Sequence, residues 1–414
     1  MQLRPITFLL YLTLFIISCS PAVKLPVSNP VQSMAVDMLT LSSDEMEGRE
    51  TGTDGERRAA EHIQGRFMEI GLIPLGTDGY LQAFSKKRTQ DPHRSTIQTG
   101  DSVIYGSNVI GFLDNGSKNT VVIGAHYDHL GFGAEGSLYK GDKQIHNGAD
   151  DNASGVTGLL LLAENLKKTK KLKNNYLFIA FSGEEKGLLG SNYYVNNPTV
   201  GVQEMNYMIN MDMIGRLNTE RNLAIGGIGT SPLFDQAVSQ IKEPKFQLKK
   251  ELSGAGPSDH MSFYLAGIPV LSFFTGQHDD YHKPSDDAHL INYSGMKDVA
   301  SLIYQIILAL DKSEKLPFTK TQDPAPQNRN FAVSLGIMPD YLFDGKGVKV
   351  DGLREGKPGL KAGIQKGDII TMMGSIEITD MKAYMNSLGT FKPGDKIDVR
   401  IIRNQQEITL PVTL

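Results

Sequence analysis

Between residues 34 and 312, continuously apolar runs of strand length alternate with segments of helical period. The runs are "NVIGFL" from 108, "TVVIGAH" from 120, "YLFIAFS" from 176, "YMINMDM" from 207, "LAIGGI" from 223 and "IPVLSFF" from 268. An uninterrupted apolar run, without polar alternation, is the signature of a strand covered on both faces. Asp54 to Ile70 and Tyr293 to Leu310 have the apolar spacing of amphipathic helices, and "GVTGLLLLAENL" from 155 is an apolar helix pattern. The basic stretch Lys167 to Lys173 that follows reads as a solvated helix end favoured by the macrodipole. Strands interleaved with helices predict a three-layer α/β/α domain with a mostly parallel central sheet. In such a sheet, sites form at the carboxyl ends of the strands.

The pattern stops after residue 312. Residues 313–330 carry Pro317, Pro324 and Pro326 with neither period, and read as a linker. Residues 331–414 form a second unit, a small β-rich domain with one helix near Asp380 to Leu388. At the other end, Arg4 precedes an apolar run from Ile6 to Ile17, too short for a comfortable membrane span and suited to export. "IISC" at its end resembles a bacterial lipobox, which would make residues 1–19 a lipoprotein-type signal peptide, Cys19 the lipidated residue and 20–33 a tether. A plain signal peptide that contains a cysteine is the alternative. The expected location is periplasmic or on the outer membrane or cell surface, with membrane attachment only through Cys19. Cys19 is the only cysteine, so no disulfide can form within the chain. A formal net charge of −4 gives no support for nucleic-acid binding.

Polar clusters stand where the apolar runs end or helices begin: "GAHYDHLG" (124–131), "HNGADDNASG" (146–155), "AFSGEEKG" (180–187), "NMDMIGR" (210–216) and "DDYHKPSDD" (279–287). Each alone fits a cap or a solvated loop. A doubly wound sheet brings them together, and converging carboxylates repel one another unless cations neutralise them. Imidazole and carboxylate donors suit zinc, and one carboxylate can bridge two ions.

These motifs, with "MEGRETGTDGERRAAEHI" (46–63), resemble metallopeptidase family twenty-eight, which contains secreted aminopeptidases, glutamate carboxypeptidase, glutaminyl cyclase and the transferrin receptor. The resemblance implies two zinc ions per chain. His126 would ligate one and His282 the other, Asp151 would bridge them, and Glu185 and Asp212 would each complete one site. Glu184 would be the general base, Tyr281 an oxyanion donor, and the Asp151–Asn152 bond cis. Asp128, two residues beyond His126, is expected to accept the other imidazole N–H. His129 is not expected to be a ligand and is expected to face away, because alternation along an extended segment puts 126 and 128 on one side and 129 on the other. His146 and His260 read as supporting or packing residues, and His278 has no assigned role.

The tail resembles a PDZ domain of the permuted kind found in bacterial periplasmic proteases. "VSLGIMPD" (333–340) would be its carboxylate-binding loop, with backbone N–H groups around Leu335, Gly336 and Ile337, and the helix near 381–388 would wall the groove. Such a groove holds the C-terminus of a peptide or protein by strand addition. The expectation is an exported dinuclear zinc aminopeptidase acting on peptides. A carboxypeptidase, a glutaminyl cyclase or an inert peptide-binding scaffold are the alternatives; the carboxypeptidase would need a cationic subsite, for which Arg216 is the candidate.

Overall fold

The computed structural model describes residues 30–88, 102–321, 333–339, 343, 345–353 and 356–414. The signal-peptide and lipid-anchor expectations, Cys19 included, lie outside them. The larger unit is built on strands β1 (Ile73–Pro74), β2 (Leu81–Arg88), β3 (Ser102–Leu113), β4 (Thr120–His126), β5 (Asn175–Phe181), β6 (Met205–Met211), β7 (Asn222–Gly226), β8 (Gln247–Lys250) and β9 (Val270–Phe274). Its helices include α1 (Pro30–Leu41), α2 (Asp54–Ile70), α3 (Gly155–Lys168), α4 (Leu189–Asn196), α5 (Pro232–Gln240), α6 (His260–Leu265) and α7 (Tyr293–Leu310). The strands pair in the order β1-β3-β5-β4-β6-β9-β7-β8, with β2 hydrogen-bonded to β3.

The centre of this sheet is parallel: β4 pairs in that sense with β5 and β6, and β6 with β9. Every residue of β4, β5 and β6 is buried, which is why these strands read as unbroken apolar runs. The flanks are mixed, since β3 runs antiparallel to β5 and β7 antiparallel to β9, so "mostly parallel" holds for the middle and not for the edges. On one face α3 and α7 pack through Leu159, Leu162, Ile303 and Ile307; on the other, Phe181, Tyr194 and Phe263 close the second core. Fully burying one such side chain stabilises the fold by about 1.5–3 kcal/mol.

Helix α2 has the predicted bounds, and local chemistry explains them. The Thr53 hydroxyl accepts the Glu56 N–H at 3.4 Å, and Gly71, at φ +80°, ends the helix by donating to Phe67 and Met68. Two boundaries differ from expectation. Helix α1 begins at Pro30, inside the presumed tether, because Met34, Met38 and Leu41 bury one helical face. The predicted linker is docked in its first part: Leu316 is buried, its N–H meets Asn206 Oδ1 at 2.7 Å, and Phe318 packs on Tyr264.

The smaller unit is an antiparallel sheet of β10 (Ile337–Pro339), β11 (Val348–Leu353), β12 (Ile369–Met373), β13 (Ile376–Glu377), β14 (Lys396–Arg403) and β15 (Gln406–Thr413), with α8 (Pro358–Lys361) and α9 (Met381–Leu388). It has its own core around Val350, Ile370, Tyr384, Leu388 and Ile401. Among the described residues no helix is long and apolar enough to cross a membrane.

Candidate metal centre

The parallel strands deliver their polar ends to one place. His126 closes β4, Glu184 and Glu185 follow β5, Asp212 follows β6, and His282 lies in the loop after β9. Asp151 sits on the turn that enters α3, where the peptide bond to Asn152 is cis. Its two carboxylate oxygens face different imidazoles. Oδ1 lies 3.3 Å from His126 Nε2 and Oδ2 lies 3.1 Å from His282 Nε2. Asp212 Oδ1 stands 3.4 Å from His126 Nε2, and Glu185 Oε1 stands 3.3 Å from His282 Nε2. These separations match the edges of a tetrahedron of donors about 2.0–2.1 Å from a common zinc ion, roughly 3.3 Å.

Both imidazoles are held in the tautomer that a metal needs. His126 Nδ1 faces the Asp128 carbonyl at 3.1 Å, and His282 Nδ1 faces the Gly136 carbonyl at 3.0 Å. A carbonyl only accepts, so each Nδ1 carries a proton, and Nε2 is the nitrogen left to exchange its own proton for a cation among the carboxylates. Charge leads to the same fit. Burial presses the pKa of His282 down, but Glu185 and Asp151 outweigh it and raise it to about 11. Burial likewise opposes protonation of His126, yet Glu184 and Asp212 hold its pKa well above the usual value. The carboxylates thus call for positive charge beyond what neutral imidazoles supply, and cations would supply it.

Glu184 differs from its neighbour. Burial, reinforced by the Asp212 and Glu185 carboxylates, raises its pKa well above the ordinary carboxyl value. In Glu185 burial is outweighed by His282 and the hydrogen bond from His129, and its pKa falls to about 2. Two adjacent carboxyls therefore have opposite proton affinities, the arrangement that separates a proton carrier from a ligand. Tyr281 lines the same cavity, its ring stacked on His282 at a centroid distance of 3.9 Å.

Asp128 accepts the other His126 N–H as expected, but through its backbone carbonyl at 3.1 Å, since its carboxylate Oδ1 is 3.7 Å from Nδ1. The carboxylate instead accepts the N–H groups of Glu184 (3.1 Å) and Glu185 (3.3 Å) and the Thr51 hydroxyl (2.9 Å), so it aims the Glu pair. His129 does not face away. Its Nδ1 is 3.0 Å from Glu185 Oε1 and 3.9 Å from Asp151 Oδ2. Strand β4 ends at His126, so the alternation used to place His129 does not extend to it.

Two supporting residues, Arg49 and Asp286, have no role readable from the sequence. Arg49 is fully buried and donates to the carbonyls of Leu41, Tyr127, Asn147 and Gly148, tying together the loops that carry His126 and Asp151. Asp286 accepts the N–H groups of Asp150 and Asp151, and His278 Nε2 lies 3.2 Å from Asp150. His146 meets Ser137 and the Gln144 carbonyl and serves packing, while His260 lines the cavity. Arg216 pairs with Asp280 at 3.0 Å and is not among the residues lining the cavity.

The cavity over the centre measures about 850 Å³ and extends beyond the peptidase-like unit. Ile337, Pro339 and Met385 of the smaller unit line it together with His126, Asp212 and Tyr281. Of the expected carboxylate loop, Ile337 faces the cavity. Leu335 is buried in the small core, and the Gly336 N–H is taken by Ser334 Oγ at 3.0 Å.

Comparison with known proteins agrees with this picture. Residues 108–307 match the model of peptidase family M28 and residues 320–414 that of the PDZ domain. Aminopeptidase YwaD of Bacillus subtilis is 29% identical over 268 residues, covering 61% of this chain and 54% of the relative. The chain spans about half the length of the curated relatives it matches. In fold it resembles a zinc aminopeptidase from Bacillus subtilis (TM-score 0.54, 18% identity, covering 70% of this chain and 98% of that one). It also resembles the glutaminyl cyclase of Porphyromonas gingivalis (TM-score 0.52, 19% identity, covering 68% and 98%). The chain joins a domain of peptidase family M28 to a C-terminal PDZ domain.

Proposed function

We propose that this chain is an exported aminopeptidase that removes N-terminal residues from peptides at a centre of two zinc ions. The observation that carries the reading is Asp151 set between two imidazoles, each with Nδ1 anchored on a carbonyl and Nε2 turned inward. His126 and Asp212 would hold one ion, His282 and Glu185 the other, with Asp151 shared. Zinc held there supplies a water acidic enough to attack at neutral pH and positive charge for the developing oxyanion. Glu184, buried beside the donors and ionised once cations offset the Asp212 and Glu185 charges, would take a proton from the attacking water and pass it to the leaving amine. Tyr281 is placed beside His282 to donate to the oxyanion. Export rests on Arg4 and the apolar run Ile6 to Ile17, with Cys19 as the lipid-bearing residue. The PDZ groove would receive a peptide C-terminus.

A carboxypeptidase would need a cation free for the substrate carboxylate; Arg216 is engaged by Asp280, and of the cavity lysines Lys249 is held by Glu251 and Lys346 by Glu377. A cyclase with one working zinc leaves the second His and Glu pair without a purpose, and an inert scaffold leaves the whole donor set without one. The test is metal content, measured on protein lacking residues 1–19, together with hydrolysis of leucine p-nitroanilide. Two zinc per chain and turnover that N-acetylation of the substrate abolishes are expected. One zinc or none after zinc is supplied, or equal cleavage of the acetylated substrate, would refute the reading.

A further inference from the structure

The metal centre and the PDZ groove open into one cavity. Strand β10 and helix α9 are the two elements between which a PDZ fold takes an extended chain end. Both reach the space over the metal centre, β10 through Ile337 and Pro339, α9 through Met385. Ile337 and Met385 are half-buried apolar side chains resting on the small domain's core, as groove walls should be. Contacts between the units hold the groove to the mouth of the cleft. Lys249 Nζ donates to the Phe343 carbonyl at 2.9 Å, and Lys366 pairs with Asp279. Asp279 belongs to the loop that bears Tyr281 and His282, so the small domain rests on a catalytic loop.

Size and charge both bear on what the cavity takes. At about 850 Å³ the cavity is near the upper limit of the ~300–1,000 Å³ usual for single-ligand pockets, and an exopeptidase needs room for one side chain and the scissile bond. One end carries Asp151, Glu184, Glu185 and Asp212. The rest of the lining carries Lys249, Lys346 and Lys349 together with Glu251 and Asp380; Lys249 lies 3.5 Å from Glu251 and Lys346 lies 2.5 Å from Glu377. The carboxylates at the metal end suit the ammonium group of a peptide, which sets the direction of a chain lying across the cavity.

We infer that both sites act on the same molecule, an oligopeptide whose free amino terminus lies at Glu184 and Tyr281 while its free carboxylate is held in the PDZ groove. This rests on the aminopeptidase reading and narrows it to a substrate class: short unfolded peptides with two free ends. An extended chain advances about 3.3 Å per residue, so peptides below a threshold length cannot reach both sites. Above it, binding at one end presents the other at a local concentration in the millimolar range, and the advantage declines as the connecting chain lengthens.

The test uses the full chain and peptides of two to twelve residues with N-terminal leucine, each made as the free acid and as the C-terminal amide. Leucine p-nitroanilide reports the metal centre alone. Beyond a threshold length the free acid should have at least tenfold higher kcat/KM than the amide, carried by KM, with no such gap for dipeptides. N-acetylated free acids above that length should inhibit competitively, and their amides should not. In Met385→Glu the ratio of acid to amide should fall to about one, whatever that variant's absolute rate. Acid and amide cleaved equally at every length, by protein that turns over the anilide, would overturn this inference and leave the aminopeptidase reading standing; such a groove would serve a separate partner. No turnover of the anilide would remove both.

Discussion

Replacing Arg49 by methionine removes a cation that nothing else in the site can replace. The guanidinium is fully buried, and burial lowers its pKa only to about 10 against the pull of Asp151 and Asp128, so it stays charged at neutral pH. It donates to Tyr127 (2.7 Å), Leu41 (2.5 Å), Asn147 (2.6 Å) and Gly148 (3.0 Å), all backbone carbonyls. Hydrogen bonds from a charged donor contribute about 1.5–3 kcal/mol each, so the four together are worth roughly 6–12 kcal/mol before any cost. Burying the guanidinium costs several kcal/mol of lost hydration, and removing one partner of such a buried charged network usually costs about 3–5 kcal/mol. Methionine fills much of the volume but leaves the carbonyls unpaired. We expect the urea midpoint to fall accordingly and Tm to drop by roughly 5–9 °C. Zinc affinity should fall as well, because the Tyr127 and Gly148 carbonyls adjoin the loops of His126 and Asp151. Arg49→Lys keeps the charge without the reach to all four carbonyls and should recover only part of the loss. A Tm within about 1 °C of the parent together with unchanged zinc affinity would refute the account of Arg49 as the tie between these loops.

Three other outcomes follow from the same geometry. Glu184→Gln should lower kcat by about 10²–10⁴ while both metals remain bound, and metal loss measured by elemental analysis would show that Glu184 is a ligand and not the proton carrier. His129→Ala should weaken metal binding at the His282 position, because Glu185 loses the imidazole 3.0 Å from its Oε1; competition with a chromogenic chelator would read this directly, and unchanged affinity would make His129 a packing residue. Burial lowers the pKa of His260 to about 4, below its value near 6.5 in the unfolded chain. The folded state therefore resists protonation, and stability is lost as pH falls from about 6.5 towards 4, by ~2 kcal/mol at pH 5. His260→Gln should remove that loss, leaving stability at pH 8 little changed relative to its gain at pH 5; denaturation curves with parallel pH dependence for both proteins would contradict it.

How much of this was legible beforehand depended on the range of the interaction. The strands β4, β5 and β6 announced themselves because every residue of each is buried, and an unbroken apolar run survives in any reading of the chain. Helices α2 and α7 were legible for a similar reason, since their apolar faces and caps lie within the helix itself. The donors stood out as polar residues at the ends of apolar runs, and the family resemblance assigned their roles. The edges of the sheet were not legible, because the direction of β3 and β7 depends on which strand each meets and not on its own side chains.

The supporting residues needed tertiary structure for the same reason. Arg49 reaches carbonyls as far as 99 residues away, and no local pattern marks a buried arginine with four such partners. Strand alternation does not extend beyond the last residue of β4; the chain turns there, and the turn decides that the Asp128 carbonyl meets His126 and that His129 meets Glu185. The sequence by itself therefore determined which elements form and which side chains carry chemistry, since apolar period and residue type are properties of the chain. Only the folded structure decided the direction of the edge strands, the partners that hold each candidate donor, and the opening of one cavity between the small domain and the candidate metal centre. Those depend on contacts between segments far apart in the chain, which exist only after packing has brought them together.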